Sequence, residues 1–406
     1  MAVHLVGGGV RDLLLDRDWG DADFALDADP AAAARDLVDR WGGGVTRHPA
    51  FRTVVVRLAD GLRIDLARRR RESYPRPAAL PIVRAGSLEE DLFRRDFTIN
   101  AMALTVEPRG IGGLVDPFGG LDDLARRRIR ALHERSFLDD PTRAFRAVRF
   151  ATRLGFRIET VTREWIGVAR ERGVFHRLSG TRLRRAIDEQ LAERRAVQGL
   201  RGLEALGLLR EIDGALTLRP ETVAQMKRVR SMSGKPGSAL EEAPASRVVL
   251  AALLWRSLPA AARERLAARL HPPRRELQLW RAAAGKAGSV VAALSRLEKK
   301  TAGRVYRICR PHAPELLWVC RALSADRSVR RALSRYLAVW RHTRLEIDGR
   351  DLLAAGIVAG PRIAAALATA LEARLEGRAC SREAQLRAAL AKARGSRAPR
   401  LTYPGG

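Results

Sequence analysis

The hydrophobic period of this chain changes once, near residue 120, and that change limits the architectures open to it. Before it, short runs rich in β-branched residues stand between glycine turns. VHLV (3–6) ends in Gly7-Gly8-Gly9, ADFAL occupies 22–26, and TVVVRLADGLRIDLA (53–67) reads as two strands around Asp60-Gly61. Helical spacing interrupts these runs twice: in VRDLLLD after the glycines, and from Pro30, where Asp29 is placed to cap the first turn. The segment ARRRRESYPRPAALPIVR (67–84), with three prolines and many charges, reads as a mobile loop with Arg68–Arg71 on its solvated face. Beyond residue 120, apolar positions recur at i, i+3 and i+4 in LDDLARRRIRAL, DPTRAFRAVRFATRLGF, TREWIGVARERG and GTRLRRAIDEQLAE. Strands in one block and helices in another predict an α+β chain, with a small mixed sheet first and an all-α remainder.

At 406 residues the chain is too long for one ordinary core and predicts two to four domains. Its 46% hydrophobic content excludes wholesale disorder. Charge is uneven. Residues 1–200 carry 36 basic and 29 acidic side chains, net +7; residues 201–406 carry 39 and 17, net +22. The carboxylates therefore cluster in the first half, while the second half has the charge of a surface that holds a polyanion. Cys309, Cys320 and Cys380 are widely spaced and odd in number, which argues against a disulfide framework and for a reducing cytoplasm. No apolar run reaches the ~18–20 residues of a membrane span, and MAVHLVGGG lacks the charged and long apolar regions of a signal peptide. SMSGKPGSALEEAPAS (231–246) reads as a linker and GSRAPRLTYPGG as a frayed end.

Four clusters carry chemistry. In Gly7-Gly8-Gly9-Val10-Arg11-Asp12, a strand, a glycine turn and a helix start aim backbone N–H groups at one point, and Arg11 adds a charged fork. That is a phosphate cradle, or else a tight βα turn. Asp21 and Asp23 lie two apart on a strand and so share a face. Two adjacent carboxylates repel unless cations sit between them. Two Mg²⁺ ions would remove that cost, activate an attacking hydroxyl and stabilise a leaving pyrophosphate. The alternative is a solvated acidic turn, since Asp16, Asp18, Asp27 and Asp29 are close by; Asp65 on RIDLA is a candidate third carboxylate. In LFRRDFTINA (92–101), Arg95 has the chemistry to hold triphosphate oxygens, with Asp96 and Asn100 to fix Arg95 or a ribose hydroxyl. In DDPTRAFRAVRF (139–150), Asp140, Arg143, Arg146 and Arg149 recur every three residues on one side of a helix, and Ala144, Ala147 and Val148 face the core. Asp140 can accept from an exocyclic amine while Arg143 donates to the acceptor beside it, a pattern that C and A share.

The order of these clusters is more specific than any one of them. LVGGGVRD, DADF, EEDLFRRDFTINAMAL, LVDPFGGLDDLARRRIRAL and DDPTRAFRAVRFATRLGF together resemble the class II tRNA nucleotidyltransferase/poly(A) polymerase family over about residues 3–200. LEIDGRDLLAAGIVAGPRIAAALATALEARLEG is similar to the family's tail. The resemblance implies a polymerase β-like nucleotidyltransferase head (1–125), a helical neck that recognises the base (126–200), a helical RNA-binding body (201–343) and a tRNA-binding tail (344–406). It implies addition of CCA to tRNA 3′ ends from CTP and ATP with Mg²⁺, in the cytoplasm. An A-adding or CC-adding partial enzyme and a poly(A) polymerase stand as alternatives. By motif, Asp21 and Asp23 would be the catalytic metal ligands. Gly8, Arg11 and Arg95 would bind nucleotide, Asp140 and Arg143 would read the base, and Arg146 and Arg149 would support the nucleotide. The sequence departs from the family where Asp139 replaces the usual Glu, and where no acid precedes Arg182 in the neck; Glu189 follows it. ARRRRESYPRPAALP lies where the family's flexible loop governs the C-to-A switch. Oligomeric state is left open.

Overall fold

The computed structural model describes residues 2–18, 21–48, 53–108, 110–230 and 246–395. They fall into two compact units, 1–218 with 264–271, and 219–263 with 272–406.

The first unit begins with β1 (Val3–Val6), α1 (Gly8–Leu14), β2 (Asp21–Leu26), α2 (Pro30–Trp41), β3 (Gly43–His48), β4 (Thr53–Leu58) and β5 (Arg63–Arg68). It continues with β6 (Arg70–Ser73), β7 (Ile82–Ala85), α3 (Leu88–Phe93), β8 (Ala103–Glu107), β9 (Gly110–Val115) and α4 (Gly120–Ala125). Seven strands form one sheet in the order β3-β4-β5-β2-β1-β8-β9. Only β2 and β5 run parallel; the other neighbours are antiparallel. The period-2 alternation assigns each face. Leu26, Val54, Val56, Ile64 and Leu66 pack beneath α2 with Ala34. Val6 and Ala25 pack with Leu92, Ala101 and Ala103. Each large aliphatic so buried contributes about 1.5–3 kcal/mol, and Leu66→Ala would cost about 2–5 kcal/mol. Because Leu26 and Leu66 must face α2, the odd positions Asp23 and Asp65 must face the other way.

The expected Asp29 cap forms, with Asp29 Oδ1 accepting from Ala31 N at 3.0 Å. The S-x-x-E signature at Ser87 closes a capping box on α3, with Ser87 Oγ accepting from Glu90 N and Glu90 Oε2 from Ser87 N. The segment 67–84 is a loop only over 74–81; strands hold nearly all the rest. β6 and β7 pair antiparallel from Arg70↔Ala85 to Ser73↔Ile82. The reason is that its charges are neutralised locally. Glu72 lies 3.2 Å from both Arg70 and Arg94, and Pro75, Pro77 and Pro81 fall between the strands, where they cost no ladder bond.

Helices follow: α5 (Ser136–Asp139), α6 (Thr142–Leu154), α7 (Thr160–Glu171), α8 (Gly180–Ala192) and α9 (Ala196–Ala205). Asp123, fully buried, ties this segment to the turn after α3. It accepts from Thr98 Oγ1 at 2.6 Å, from Arg130 Nε at 2.7 Å and from Arg128 Nε.

The described part of the second unit is helical. Cys309 and Cys320 are buried there, and burial pushes both thiols up to about 12. Near its end lie a helix over Gly349–Ala354, a break with Gly356 at φ 83° and a helix over Pro361–Leu375. Ala366, Ala370, Ala389 and Ala393 pack with Ile347 and Leu352 in its core. Residues 231–245 of the linker expected over 231–246, and the tail beyond 395, lie outside the described residues; Ser246 opens a helix. Among the described residues no helix is long and apolar enough to cross a membrane.

Candidate active site

A cavity of about 810 Å³ in the first unit is lined by Gly7, Gly8, Arg11, Asp23, Asp65, Arg95, Asp140, Arg143, Arg146 and Arg149 among others. It thus gathers every sequence-predicted site residue except Asp21. The backbone of Asp21 opens β2 opposite Arg63, but its side chain lies outside the described part of the structure.

Asp23 and Asp65 are direct partners in the parallel β2–β5 register. Their carboxylates therefore share the open face of the sheet, although 41 residues separate them in sequence. Asp65 is held by Arg63, Nη2 to Oδ2 at 2.7 Å and Nε to Oδ1 at 3.2 Å. Hard carboxylate oxygens of this kind suit Mg²⁺ or another hard divalent cation. Among the described residues no group of three or more His, Cys, Asp or Glu could hold a metal ion, so the described share of such a site is this pair.

The glycine turn lies beside the carboxylates. Gly7 has φ 75°, a conformation side chains resist, and a Cβ there would stand 2.6 Å from Arg95 Nη1 and 3.9 Å from Asp23 Oδ2. Arg11 is buried and committed within the protein: Nε and Nη2 donate to Asp12 at 2.9 and 2.7 Å, and Nη1 donates to Asn100 Oδ1 at 2.7 Å. Asp12 is therefore the partner of Arg11 rather than an ordinary first-turn acid.

Of the two roles expected for Asp96 and Asn100, fixing Arg95 or a ribose hydroxyl, the first needs correction. Asp91, only 1% exposed, fixes Arg95: its Oδ2 accepts from Arg95 Nη2 at 3.0 Å, and its Oδ1 from Arg94 Nε and Nη2 and from Arg70 N. Asp96 instead accepts from Arg146 Nε at 2.7 Å and from Asn100 Nδ2 at 2.9 Å. Burial alone would raise the Asp96 carboxyl, but Arg146 and Asn100 hold it below its ordinary value. The same holds for Asp91, where Arg94 and Arg95 outweigh burial.

On α6 the arginine stripe is present, but its members differ. Arg143 is buried, donating from Nη1 to Ser136 Oγ at 2.9 Å and from Nη2 to the Arg94 carbonyl at 2.6 Å. Arg149 pairs with Glu189. Asp140 stands just before the helix start, with Oδ1 accepting from Thr142 N and Oγ1 at 3.0 and 2.6 Å. The same oxygen also accepts from Arg182 Nη2 at 2.7 Å. Arg182 Nη1 donates to the Ala78 carbonyl between β6 and β7.

Glu72, Tyr74, Arg182 and Glu189 were not foreseen as cavity residues. Tyr74 Oη donates to Glu72 at 3.0 Å, and burial raises its hydroxyl above the ordinary value. Reading 67–84 as a loop hid Glu72 and Tyr74. The Arg182-to-Glu189 stretch on α8 was visible, but its missing acid discouraged an assignment.

A mixed sheet with paired carboxylates on its open face, walled by an arginine-bearing helix, defines a nucleotidyltransferase head, here followed by helical modules. The sequence profile of the Poly A polymerase head domain matches residues 3–130. The solved CCA-adding enzyme in apo form II superposes with a TM-score of 0.77 at 30% identity, covering 96% of this chain and 91% of that one. The Thermotoga maritima CCA-adding enzyme complexed with tRNA-CCA gives 0.74 at 28% identity, over 96% and 91%. The A-adding tRNA nucleotidyltransferase of Geobacter sulfurreducens is 36% identical over 395 residues, 96% of this chain and 45% of that protein. The chain thus belongs to the tRNA nucleotidyltransferase/poly(A) polymerase family, whose enzymes generally use divalent metal ions. It spans less than half the length of the first curated relatives it matches.

Proposed function

We propose that this chain adds nucleotides to the 3′ end of tRNA from CTP and ATP, completing CCA or part of it and releasing pyrophosphate. One observation carries the reading: a single cavity holds Asp23 and Asp65 together with Asp140 and Arg143, chemistry for transfer beside chemistry for reading a base. In this proposal Gly8 lets phosphate approach the backbone, and Arg11, Arg95, Arg146 and Arg149 surround the triphosphate with positive charge. Asp140 accepts from the exocyclic amine of C or A, and Arg143 donates to the neighbouring acceptor. Asp21 and Asp23, with Asp65 as third carboxylate, would hold Mg²⁺, which when bound lowers the pKa of the attacking 3′-hydroxyl and offsets charge at the α-phosphate. The domain assignment carries over as part of the proposal. The head (1–125) transfers and the neck (126–200) selects. The body (201–343) and tail (344–406) grip tRNA by shape and phosphate, supported by the net charge of +22 over residues 201–406. Three widely spaced cysteines support a reducing cytoplasm as the setting.

A second reading, addition of the terminal A alone, is favoured by the alignment with an A-adding relative over 96% of this chain. The test offers tRNA ending at the discriminator base, at C and at CC, with CTP and ATP supplied separately and together. Three additions ending in A establish full CCA addition. A single A on the CC substrate, with no addition to the other two, establishes the A-adding reading. CC alone would overturn the A-adding reading and assign the part as CC addition, whereas a long A ladder would overturn both and point to a poly(A) polymerase.

A further inference from the structure

Phe150 follows Arg149 on α6, lines the cavity and is 7% exposed. Three guanidiniums lie against its ring. The Cζ atom of Arg11 is 5.1 Å from the ring centroid, and those of Arg146 and Arg149 are each at 5.4 Å. The first belongs to the sheet end of the unit and the other two to the helical end, so one ring joins cations from both walls of the cavity. Phe97, fully buried in the turn after α3, meets this ring edge-on at 5.9 Å and 82° and keeps it in place.

Three like charges converging on one small volume repel, and something must hold them. Each has an oxygen partner: Asp12 for Arg11, Asp96 for Arg146 and Glu189 for Arg149. A carboxylate occupies N–H donors and offsets the charge it holds. An aromatic face does neither: its quadrupole attracts the guanidinium plane and takes up none of its N–H groups.

We propose that Phe150 is a positioning residue whose ring gathers Arg11, Arg146 and Arg149 into one array for the phosphate chain of the incoming nucleotide. The proposal rests on the nucleotide-transfer reading and deepens it. It places the ring's influence on the phosphates, so its effect is blind to the base.

The test measures dissociation constants of ATP, CTP and inorganic tripolyphosphate for the whole chain by titration calorimetry, with KM and kcat for transfer. The proteins are wild type, Phe150→Leu and Phe150→Tyr. Phe150→Leu is expected to weaken all three ligands by one common factor, on the order of tenfold, with the loss in transfer carried in KM more than in kcat. Phe150→Tyr keeps an aromatic face and is expected to restore binding to within about twofold of wild type. Phe150→Met replaces the leucine variant if that protein does not fold. Three outcomes overturn the proposal: a folded Phe150→Leu protein with unchanged affinities, a loss for ATP and CTP that spares tripolyphosphate, or a tyrosine variant as weak as the leucine one. The second outcome would mean that the ring stacks on the base, and the third that only its bulk matters. Wild-type protein that binds none of the three ligands would fail the nucleotide-transfer reading itself, and this proposal with it.

Discussion

In the first unit Asp91, Asp96 and Asp123 are nearly sealed from solvent, and each is held by several donors. In the second unit the ion pairs Arg307–Glu372, Arg378–Glu376 and Arg382–Asp351 stand in water, with their arginine side chains 58–70% exposed. The two arrangements do different work. A buried carboxylate with several cationic partners fixes the position of every partner, and losing it strands charge in a poor solvent. An exposed pair is screened and mobile, and leaves the arginine able to exchange its partner for a phosphate. The first unit uses charge to set geometry; the second keeps it available.

The largest expected effect breaks the geometry where it meets chemistry. Asp23→Ala should lower single-turnover nucleotide addition by on the order of 10³-fold or more while sparing tRNA binding in a filter assay. Retained turnover would remove the sheet carboxylates from the reaction. Next, Asp123→Ala should destabilise the first unit by about 3–5 kcal/mol, read as a lower melting transition by circular dichroism.

A smaller effect is set by pH. Burial, reinforced by Arg143 and Arg135, pushes His133 down to about 4 from 6.5. The unfolded chain takes up this proton near 6.5 and the folded one resists it to about 4. The stabilisation is therefore complete above pH 6.5 and is lost as pH falls through that window. His133→Phe should flatten the pH dependence of the melt between 6.5 and 4, and an unchanged slope would assign it to other groups. Below that window the depressed carboxyls of Asp91 and Asp96 take over, since their contribution is present above the unfolded value of 3.8 and lost beneath it. The smallest effect is Arg307→Ala in the second unit, expected to cost under about 1 kcal/mol. A loss there as large as that of Asp123→Ala would erase the contrast between the units.

The same contrast explains what could be read in advance. β1, β2, β4 and β5 were legible because alternation and glycine turns are local signals, and the α6 stripe was legible because spacing alone puts Arg143, Arg146 and Arg149 on one side; Asp140, expected on the same stripe, instead precedes the helix on extended backbone. The β2–β5 pairing that sets Asp65 beside Asp23 is a long-range register, so Asp65 could be named only by residue type. The β6–β7 hairpin was missed because prolines and arginines mimic a solvated loop; Glu72 within it also pairs with Arg94 after α3, and Asp91 accepts from the Arg70 backbone, contacts that no local pattern shows. Partner choice was the least legible layer. Nothing in DLFRRDFTIN tells Asp91 from Asp96 as the holder of Arg95, because helix α3 ends between them and sends their side chains to different neighbours.

The position of Arg95 carries a further consequence. Its Nη1 sits where a Cβ of Gly7 would press on it, at 2.6 Å, so the hollow of one residue seats the charge of another far along the chain. Neither position can then be scored alone. In a library that varies single sites, any side chain at 7 displaces the cation and any loss at 95 empties the seat, so both would register as immovable. Only a library that varies 7 and 95 together separates what the site requires as volume from what it requires as charge.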